Sequence, residues 1–479
     1  MERIAISLAG HTNLGKTTLA RTLLRRDIGV VEDRPHVTDL ADGHRLAGDA
    51  ATEILLWDLP GFGDSVKLRQ RLEKTGFLGW LAQTFDRFRD RPLWCAQQSL
   101  KNAREQADIV LYLADAQADP FVSPEVPAEL AALAWTGKPI VIVLNQAGLP
   151  DTARDEALVA RWTEAMGREH PPAGVVVLDG WSRCWVQEIQ FLRSLEEHLP
   201  ETKRSAYRRV LDVWVEETHH AAFRESVEHL ARSLAGLARD RVAVEESWLD
   251  ILMAKTQRRS TPQTEEAREQ LAQTLVERSR ADMEKLLAIH GLEGVPRERV
   301  ESVIEGLRAK VPGAPPEFWA VLGGVGTGAL GGLAADFSAG GLTFGGGAVL
   351  GAILGGLGAY ALGQGYRKLK RDGQTVVEWD PEFKLDEWRA AAMRYLLVAH
   401  LGRGRGQWQE PLPQEQPSLW KEKIDDWMAR HKAEIEAALE PEKTDEGKIA
   451  VLLTWMLDDI LASLYPGWKE PARARVSID

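Results

Sequence analysis

Cysteine is scarce in this chain, with only Cys95 and Cys184 among its 479 residues. Two cysteines cannot form a disulfide framework, and these two lack the spacing of metal ligands, so we expect buried thiols in a reducing compartment. An excess of positive charge is also absent: Lys and Arg total 59 against 71 Asp and Glu, and the formal net charge is −12. This balance argues against an overall attraction to nucleic acid, and no such partner is predicted.

A secretory leader is not predicted, because the first three residues lead directly into a short apolar run without the pattern of a signal peptide. We therefore expect a cytoplasmic protein. Long apolar segments are also rare. Residues 318–366 are the exception, and they leave an association with the inner membrane open.

Short, nearly continuous apolar runs alternate with helical patterns through about residue 200. These runs cover residues 4–9, 54–57, 109–113, 140–144 and 175–178. Strands that are apolar throughout are buried on both faces, which is typical of a parallel sheet covered by helices. The sequence therefore predicts a doubly wound, mainly parallel α/β domain over residues 1–200, with ligands at the carboxyl ends of its strands.

The rest of the chain is predicted to be mostly α-helical. Residues 201–311 are rich in Ala, Leu, Glu, Arg and Lys and have few strand signals, which favours a helical bundle or stalk. Residues 372–479 form a further helical region that carries several tryptophans. We interpret these tryptophans mainly as core residues, with a place at a membrane interface as the alternative.

The segment 318–366 contains a single charged residue, Asp336, and 17 of the 42 glycines of the chain. Some of these glycines recur at four-residue spacing, which would place them in stripes along two helices, as at Gly324, Gly328 and Gly332 and at Gly347, Gly351 and Gly355. Such glycine stripes permit close helix packing of the kind used in membranes, so a glycine-zipper hairpin is predicted. Membrane insertion, permanent burial in protein and a flexible glycine-rich loop stay open as its states.

Residues 10–17 read GHTNLGKT and match the phosphate-binding pattern G-x-x-x-x-G-K-[ST] between a predicted strand and a predicted helix. In such a loop the backbone N–H groups surround the phosphates, the lysine reaches the β- and γ-phosphates, and the threonine binds Mg²⁺. Nucleotide contacts are therefore predicted for Gly10, Asn13, Leu14, Gly15, Lys16, Thr17 and Thr18. Lys16 is also a predicted catalytic residue.

The sequence Asp58-Leu59-Pro60-Gly61 follows the predicted strand 54–57 and matches D-x-x-G. Its carboxylate can organise Mg²⁺ and the N–H of Gly61 can bind the γ-phosphate, so both residues are predicted nucleotide contacts and Gly61 a catalytic one. Thr38 lies in a loop upstream, where a further Mg²⁺ ligand and catalytic residue is expected. The predicted Mg²⁺ site therefore consists of Thr17, Thr38 and Asp58.

Together these motifs resemble the Era-type branch of translation-factor-related GTPases over residues 1–200. The whole chain resembles a group of bacterial proteins in which such a domain precedes an uncharacterised C-terminal domain. The resemblance implies binding of GTP and GDP with Mg²⁺, and hydrolysis of GTP to GDP and phosphate.

The chain departs from this family in the base-recognition motif Asn-Lys-x-Asp, where it reads Asn145-Gln146-Ala147-Gly148. Asn145 and Gln146 are predicted nucleotide contacts. The carboxylate that accepts two hydrogen bonds from guanine is replaced by Gly148, which leaves the choice between guanine and adenine open. Asp151 is a candidate substitute. The last base-binding loop is expected near residues 179–183.

Phe62 follows the D-x-x-G motif, where Ras-like enzymes have a glutamine that orients the attacking water. The resemblance suggests a class with a hydrophobic residue here, some of whose members bind K⁺ through an asparagine in the phosphate loop. Asn13 occupies that position and is therefore a predicted K⁺ ligand and catalytic residue. We therefore expect slow GTP hydrolysis stimulated by K⁺, by homodimerisation or by a partner. His11 and His36 are interpreted as solvent-facing, with the positioning of water near the γ-phosphate as the alternative.

Three hypotheses remain from the sequence. The first is a GTP-dependent switch that controls membrane engagement or a membrane-protein partner. The second is a soluble, nucleotide-dependent assembly or scaffold factor with a buried hairpin. The third is an ATP-using P-loop enzyme.

Overall fold

The structure of the protein is a computed structural model that describes residues 1–28, 42–63, 70, 74, 91–123, 125–148, 152–166, 171–180, 183–257, 260–292, 365–371, 373–400, 416–466 and 468. These residues belong to two compact units. The first comprises Met1–Ala221, Ala399–Gln407 and Tyr465–Asp479, and the second comprises Ala222–Val398 and Trp408–Leu464.

A six-stranded sheet forms the centre of the first unit, with the strand order β2-β3-β1-β4-β5-β6. The strands are β1 (Glu2–Gly10), β2 (Asp42–Gly48), β3 (Thr52–Asp58), β4 (Ile109–Asp115), β5 (Ile140–Asn145) and β6 (Gly174–Val177). All neighbouring strands are parallel except β2, which pairs antiparallel with β3. The predicted doubly wound, mainly parallel sheet is confirmed, and β2 is a strand that the sequence analysis does not predict.

The register of the sheet brings the predicted site residues to one edge. Leu8 of β1 pairs with Asp58 of β3, and Asp115 of β4 pairs with Asn145 of β5. Strand β1 lies between β3 and β4. The strands β2 and β3 lie on one side of β1, and β4, β5 and β6 lie on the other, so the strand order reverses at β1. Ligands of open α/β sheets bind at the carboxyl ends of the strands at such a point.

Helices accompany this sheet, and apolar side chains of both form its core. The helices of the first unit are α1 (Lys16–Leu24), α2 (Arg91–Glu105), α3 (Glu125–Ala134), α4 (Thr152–Met166), α5 (Trp185–Ser194) and α6 (Glu201–Val215). A short 3-10 helix, Leu195–His198, follows α5, and a π-helical turn, Glu216–His220, follows α6. Both cysteines are buried, as expected, and they do not form a disulfide with each other.

The second unit is mostly helical. Its helices are α7 (Ala221–Arg239, which begins at the last residue of the first unit), α8 (Trp248–Gln257), α9 (Pro262–Ile289), α10 (Pro381–Ala399), α11 (Gln416–Arg430), α12 (Lys432–Ala438) and α13 (Glu446–Leu464). It also contains an antiparallel sheet in the order β7-β9-β8, formed by Arg241–Val244, Gln374–Trp379 and Tyr366–Arg371. The helical character agrees with the sequence prediction, whereas the three short strands are an addition to it.

The core of the second unit contains several tryptophans. Trp379, Trp388, Trp420 and Trp427 are at most 1 % exposed, whereas Trp455 is 44 % exposed. The interpretation of these tryptophans mainly as core residues is therefore confirmed for the four buried ones.

Several predicted features lie outside the described residues. They are Thr38, His36, Asp151 and both arms of the glycine-zipper hairpin, at 319–335 and 342–362. Within the described part of the chain, no helix combines the length and apolar character needed to cross a membrane.

Candidate functional site

The loop between β1 and α1 has a backbone that depends on glycine. Gly10 has a φ of +137°, and a Cβ there would lie 2.6 Å from the carbonyl oxygen of Leu113 on β4. Gly15 has a φ of +79°, and its Cβ would lie 2.7 Å from Nδ2 of Asn145. Asn13 is also left-handed, with a φ of 64°, a conformation that asparagine tolerates better than most residues. The loop therefore has the close approaches and left-handed positions of a phosphate-binding loop.

Lys16 is buried at the start of α1, with 7 % of its surface exposed. Its Nζ donates to the carbonyl oxygens of Gly10 at 3.1 Å and His11 at 2.6 Å, so the ammonium lies against the loop itself. Burial lowers the pKa of Lys16 from 10.5 to about 8, and the carboxylates of Asp58 and Glu129 oppose this shift. An anion at the loop would offset the burial of this charge.

Thr17 and Asp58 contact each other directly. The Thr17 hydroxyl donates to Oδ2 of Asp58 at 2.5 Å. Asp58 is 3 % exposed, and its other oxygen, Oδ1, is buried without a hydrogen bond to any described residue. Burial raises the pKa of Asp58, which the hydrogen bond from Thr17 and the charge of Lys16 oppose. A buried carboxylate oxygen with spare acceptor capacity beside a hydroxyl fits the oxygen ligands that Mg²⁺ prefers.

Gly61 lies against the phosphate loop, because a Cβ there would come within 2.7 to 2.9 Å of three atoms of Thr12. The backbone of the next residue, Phe62, is hydrogen-bonded to the phosphate loop. Its N–H donates to the carbonyl oxygen of Gly10 at 3.1 Å, and its carbonyl oxygen accepts from the N–H of Thr12 at 3.2 Å. The Phe62 side chain is fully buried in the hydrophobic core with Leu59. It therefore cannot orient water, in agreement with the sequence analysis. We call residues 10–17, Asp58 and Gly61 the phosphate corner.

Asn145, at the end of β5, links the phosphate loop to the loop after β6. Its Nδ2 donates to the carbonyl oxygen of Leu14 at 2.7 Å, and its Oδ1 accepts from the N–H of Gly180 at 2.8 Å. The side chain is 1 % exposed, so both bonds are shielded from water. This predicted nucleotide contact therefore holds two loops of the site together. Gln146, beside it, is left-handed with a φ of 60°.

The position of the missing aspartate is occupied by the backbone of Gly148. Its N–H donates to Oδ2 of Asp179 at 2.8 Å, and its φ is +78°. Among the described residues, a Cβ at Gly148 would meet a single atom within 4 Å, Nη1 of Arg154 at 4.0 Å. We call Asn145, Gln146, Gly148, Asp179 and Gly180 the base corner.

His11 has buried partners, in contrast to its interpretation as a solvent-facing loop residue. Its Nδ1 lies 2.8 Å from Oε1 of Glu129, whose other oxygen accepts from the hydroxyl of Tyr112 at 2.9 Å. Glu129 is fully buried, and its hydrogen bond raises the pKa of His11. The His11 side chain is 34 % exposed, so it faces solvent only in part and is held on one side by Glu129. No sequence motif marks Glu129 on α3 as its partner, because the contact spans 118 residues.

The predicted site residues thus gather at the carboxyl edge of the sheet, with the exception of Thr38, which lies outside the described residues. Asp179 is the first residue of the range 179–183 where the last base-binding loop is expected, but the sequence analysis gave it no role of its own. The signal for it is its position two residues after β6, at the same edge as Asn145.

Family models match both parts of the chain. A model described as 50S ribosome-binding GTPase matches residues 5–146, so the N-terminal part is a P-loop GTPase domain. A second model, described as a domain of unknown function (DUF3482), matches residues 175–450, more than half of the 479 residues. The chain belongs to this DUF3482 family. In this chain, the DUF3482 domain follows a GTPase domain. This agrees with the resemblance found in the sequence.

Several solved GTPases share similarity with part of the chain. A point mutant of Aquifex aeolicus Era bound to GDP and AlF4⁻ is 15 % identical over 42 % of this chain, with a TM-score of 0.31. Era bound to MgGDPNP and a 16S ribosomal RNA segment is 15 % identical over 42 %, with a TM-score of 0.30. The chain spans 58 % of the length of each Era chain. The elongation factor SelB from Methanococcus maripaludis with GppNHp is 14 % identical, covering 38 % of this chain and 30 % of SelB, with a TM-score of 0.24. A comparison with curated proteins found no match.

Proposed function

We propose that this protein binds GTP with Mg²⁺ in the phosphate corner and hydrolyses it slowly to GDP and phosphate. The observation that carries this proposal is the grouping of the buried Lys16 and Asp58 with the half-buried Thr17 beside Gly61. A buried cation, a hydroxyl and a carboxylate with a spare oxygen are the groups that position and neutralise a transferring phosphoryl group.

Thr17 and Asp58 would hold the Mg²⁺, and Thr38 is proposed as a further ligand. When bound there, Mg²⁺ neutralises charge on the phosphate oxygens. The N–H of Gly61 would donate to the γ-phosphate, and Lys16 would turn from the loop carbonyls to the phosphates. In this way the protein itself contributes positioning and charge rather than a covalent step.

The test is phosphate release from GTP by the full chain, with and without Mg²⁺, in the wild type and in Lys16→Ala. We expect Lys16→Ala to lower the rate by about 100-fold or more, since a charged contact to the reacting phosphate is removed. The matched control is Lys101→Ala, an exposed lysine on α2, which should hydrolyse GTP like the wild type. Equal rates in all three proteins would contradict the proposal. Tight GTP binding without turnover would instead favour the scaffold hypothesis.

Asn13 is proposed to bind K⁺ next to the phosphates and so to supply positive charge during hydrolysis. It is exposed and left-handed in the loop, and Phe62 beside the site has no polar group to offer. We expect faster hydrolysis in K⁺ than in Na⁺, and the loss of that difference in Asn13→Ala. An unchanged K⁺ to Na⁺ rate ratio in Asn13→Ala would show that Asn13 does not act through the ion.

The hairpin predicted at 318–366 is proposed to engage a membrane or a membrane protein under control of the bound nucleotide. This proposal is supported by its composition alone, with one charged residue and two glycine stripes. Flotation with liposomes, with GDP and with a non-hydrolysable GTP analogue, tests it. Recovery of the full chain in the soluble fraction in both states would contradict it.

Adenine nucleotides are the second candidate ligand, because Gly148 brings no carboxylate to the base-recognition motif. Titration calorimetry with GDP and ADP separates the two. Equal or tighter binding of ADP would favour an ATP-using enzyme.

A further inference from the structure

The base corner contains a carboxylate even though the base-recognition motif has lost its own. An aspartate at position 148 would carry the carboxylate on its own side chain. Instead, Asp179 brings a carboxylate oxygen to within 2.8 Å of the Gly148 nitrogen. The acidic group is thus displaced from the loop after β5 to the loop after β6 and remains in the same corner.

Two further contacts fix the relative position of these loops. The N–H of Gly180, next to Asp179, donates to Oδ1 of Asn145 at 2.8 Å. The N–H of Leu178 donates to the carbonyl oxygen of Leu144 at 3.1 Å, which continues the pairing of β5 and β6 up to the corner. Asp179 is 6 % exposed, so it is buried within the corner.

Glycine at position 148 is what allows this arrangement. Its left-handed φ of +78° is rarely adopted by residues with a side chain. Among the described residues, the atom nearest to a Cβ there is Nη1 of Arg154, at 4.0 Å. The Arg154 guanidinium pairs with Asp155 at 2.8 Å.

We propose that Asp179 is the specificity-determining residue that selects guanine, in place of the aspartate missing at Gly148. Guanine presents two adjacent donors, N1–H and the 2-amino group, and a carboxylate accepts both. Adenine has an acceptor at N1 and no 2-amino group, so the same carboxylate disfavours it. Xanthine has a carbonyl in place of the 2-amino group and would meet the carboxylate with an acceptor. This inference rests on the proposed nucleotide binding in the phosphate corner.

The experiment is titration calorimetry of the full chain with the Mg²⁺ complexes of GDP, XDP and ADP. Asp179→Asn keeps the shape and one acceptor oxygen and adds an NH2 donor for the xanthine carbonyl. We expect it to weaken GDP binding by about 10- to 100-fold and to tighten XDP binding by about 10-fold, so that the preference reverses. Asp155→Asn, which removes a neighbouring charge on α4, is the matched control and should keep the wild-type preference.

An unchanged preference for GDP over XDP in Asp179→Asn would overturn the inference. So would loss of both nucleotides in a variant whose unfolding curve matches the wild type, since a purely structural role of Asp179 predicts that result. A reversal in Asp151→Asn and not in Asp179→Asn would assign the carboxylate to Asp151 instead. A wild type that binds GDP no better than Lys16→Ala would contradict the proposed function itself, and the two failures are thereby distinguished.

Discussion

The phosphate corner and the base corner lie at the same sheet edge but are built in different ways. The phosphate corner keeps every letter of its motif, with Lys16 and Thr17 adjacent at the start of α1 and Asp58 at the end of β3, the strand next to β1. It buries the Asp58 carboxylate, whose Oδ1 receives no hydrogen bond from the described residues. In the base corner, Gly148 stands where the Asn-Lys-x-Asp motif has its aspartate. The described hydrogen bonds of this corner join separate loops to one another.

The difference shows which part of nucleotide recognition depends on local sequence. Phosphate binding uses backbone N–H groups and a few charges whose spacing is fixed by one turn, so its residues cannot be redistributed. Base selection needs only acceptors and donors at the right place, which two parallel strands can supply from either loop. We therefore expect the two corners to respond differently to substitution.

The largest effect is expected from Asp58→Asn in the phosphate corner. The change removes the charge proposed to hold Mg²⁺ and should lower Mg²⁺-dependent GTP hydrolysis by about 100-fold or more. The ratio of GDP to XDP affinity should remain that of the wild type, because the base corner is untouched. Rates are measured by phosphate release and affinities by calorimetry. A changed base preference would show that the corners are not separable in this way.

A smaller effect is expected from Asn145→Ala, which removes the link between the two corners. Leu14 and Gly180 would each lose a buried partner, so the free energy of unfolding should fall by about 1–3 kcal/mol and GDP binding should weaken by about 10-fold. Denaturant unfolding and calorimetry measure the two. Asn102→Ala is the control, because Asn102 accepts a 3.1 Å bond from Ser7 in the same unit and lies outside both corners. Equal loss of GDP affinity in Asn145→Ala and Asn102→Ala would contradict the role of Asn145 in linking the two corners.

The smallest effect is expected on the pH dependence of stability of the nucleotide-free protein. The folded pKa of Lys16, about 8, lies below its ordinary value of 10.5, so the unfolded chain binds more protons between these values. This contribution makes stability rise with pH over that window. Lys16→Met should remove this rise, because the variant has no group that titrates there. Thermal unfolding from pH 7 to 10 measures it, with Lys101→Met as control. If the stability of Lys16→Met changed with pH in the same way as that of the wild type, the expected contribution of Lys16 would be contradicted.

The sequence predicted the phosphate corner well because its residues form contiguous motifs directly after apolar strands. The sheet was predictable for the same reason: strands such as β4 and β5 are apolar throughout. The antiparallel β2, with its exposed residues, carries no such signal. The pairing of His11 with Glu129, and of Gly148 with Asp179, joins residues far apart in the chain. Such contacts follow from the strand order, which one sequence does not display.

Guanine selectivity of the full chain is tested most directly by titration calorimetry with GDP and ADP in the presence of Mg²⁺. A carboxylate and a buried asparagine in the base corner predict that GDP binds at least about 10-fold more tightly than ADP. Binding of ADP with equal or higher affinity would contradict the proposal that this protein selects guanine nucleotides.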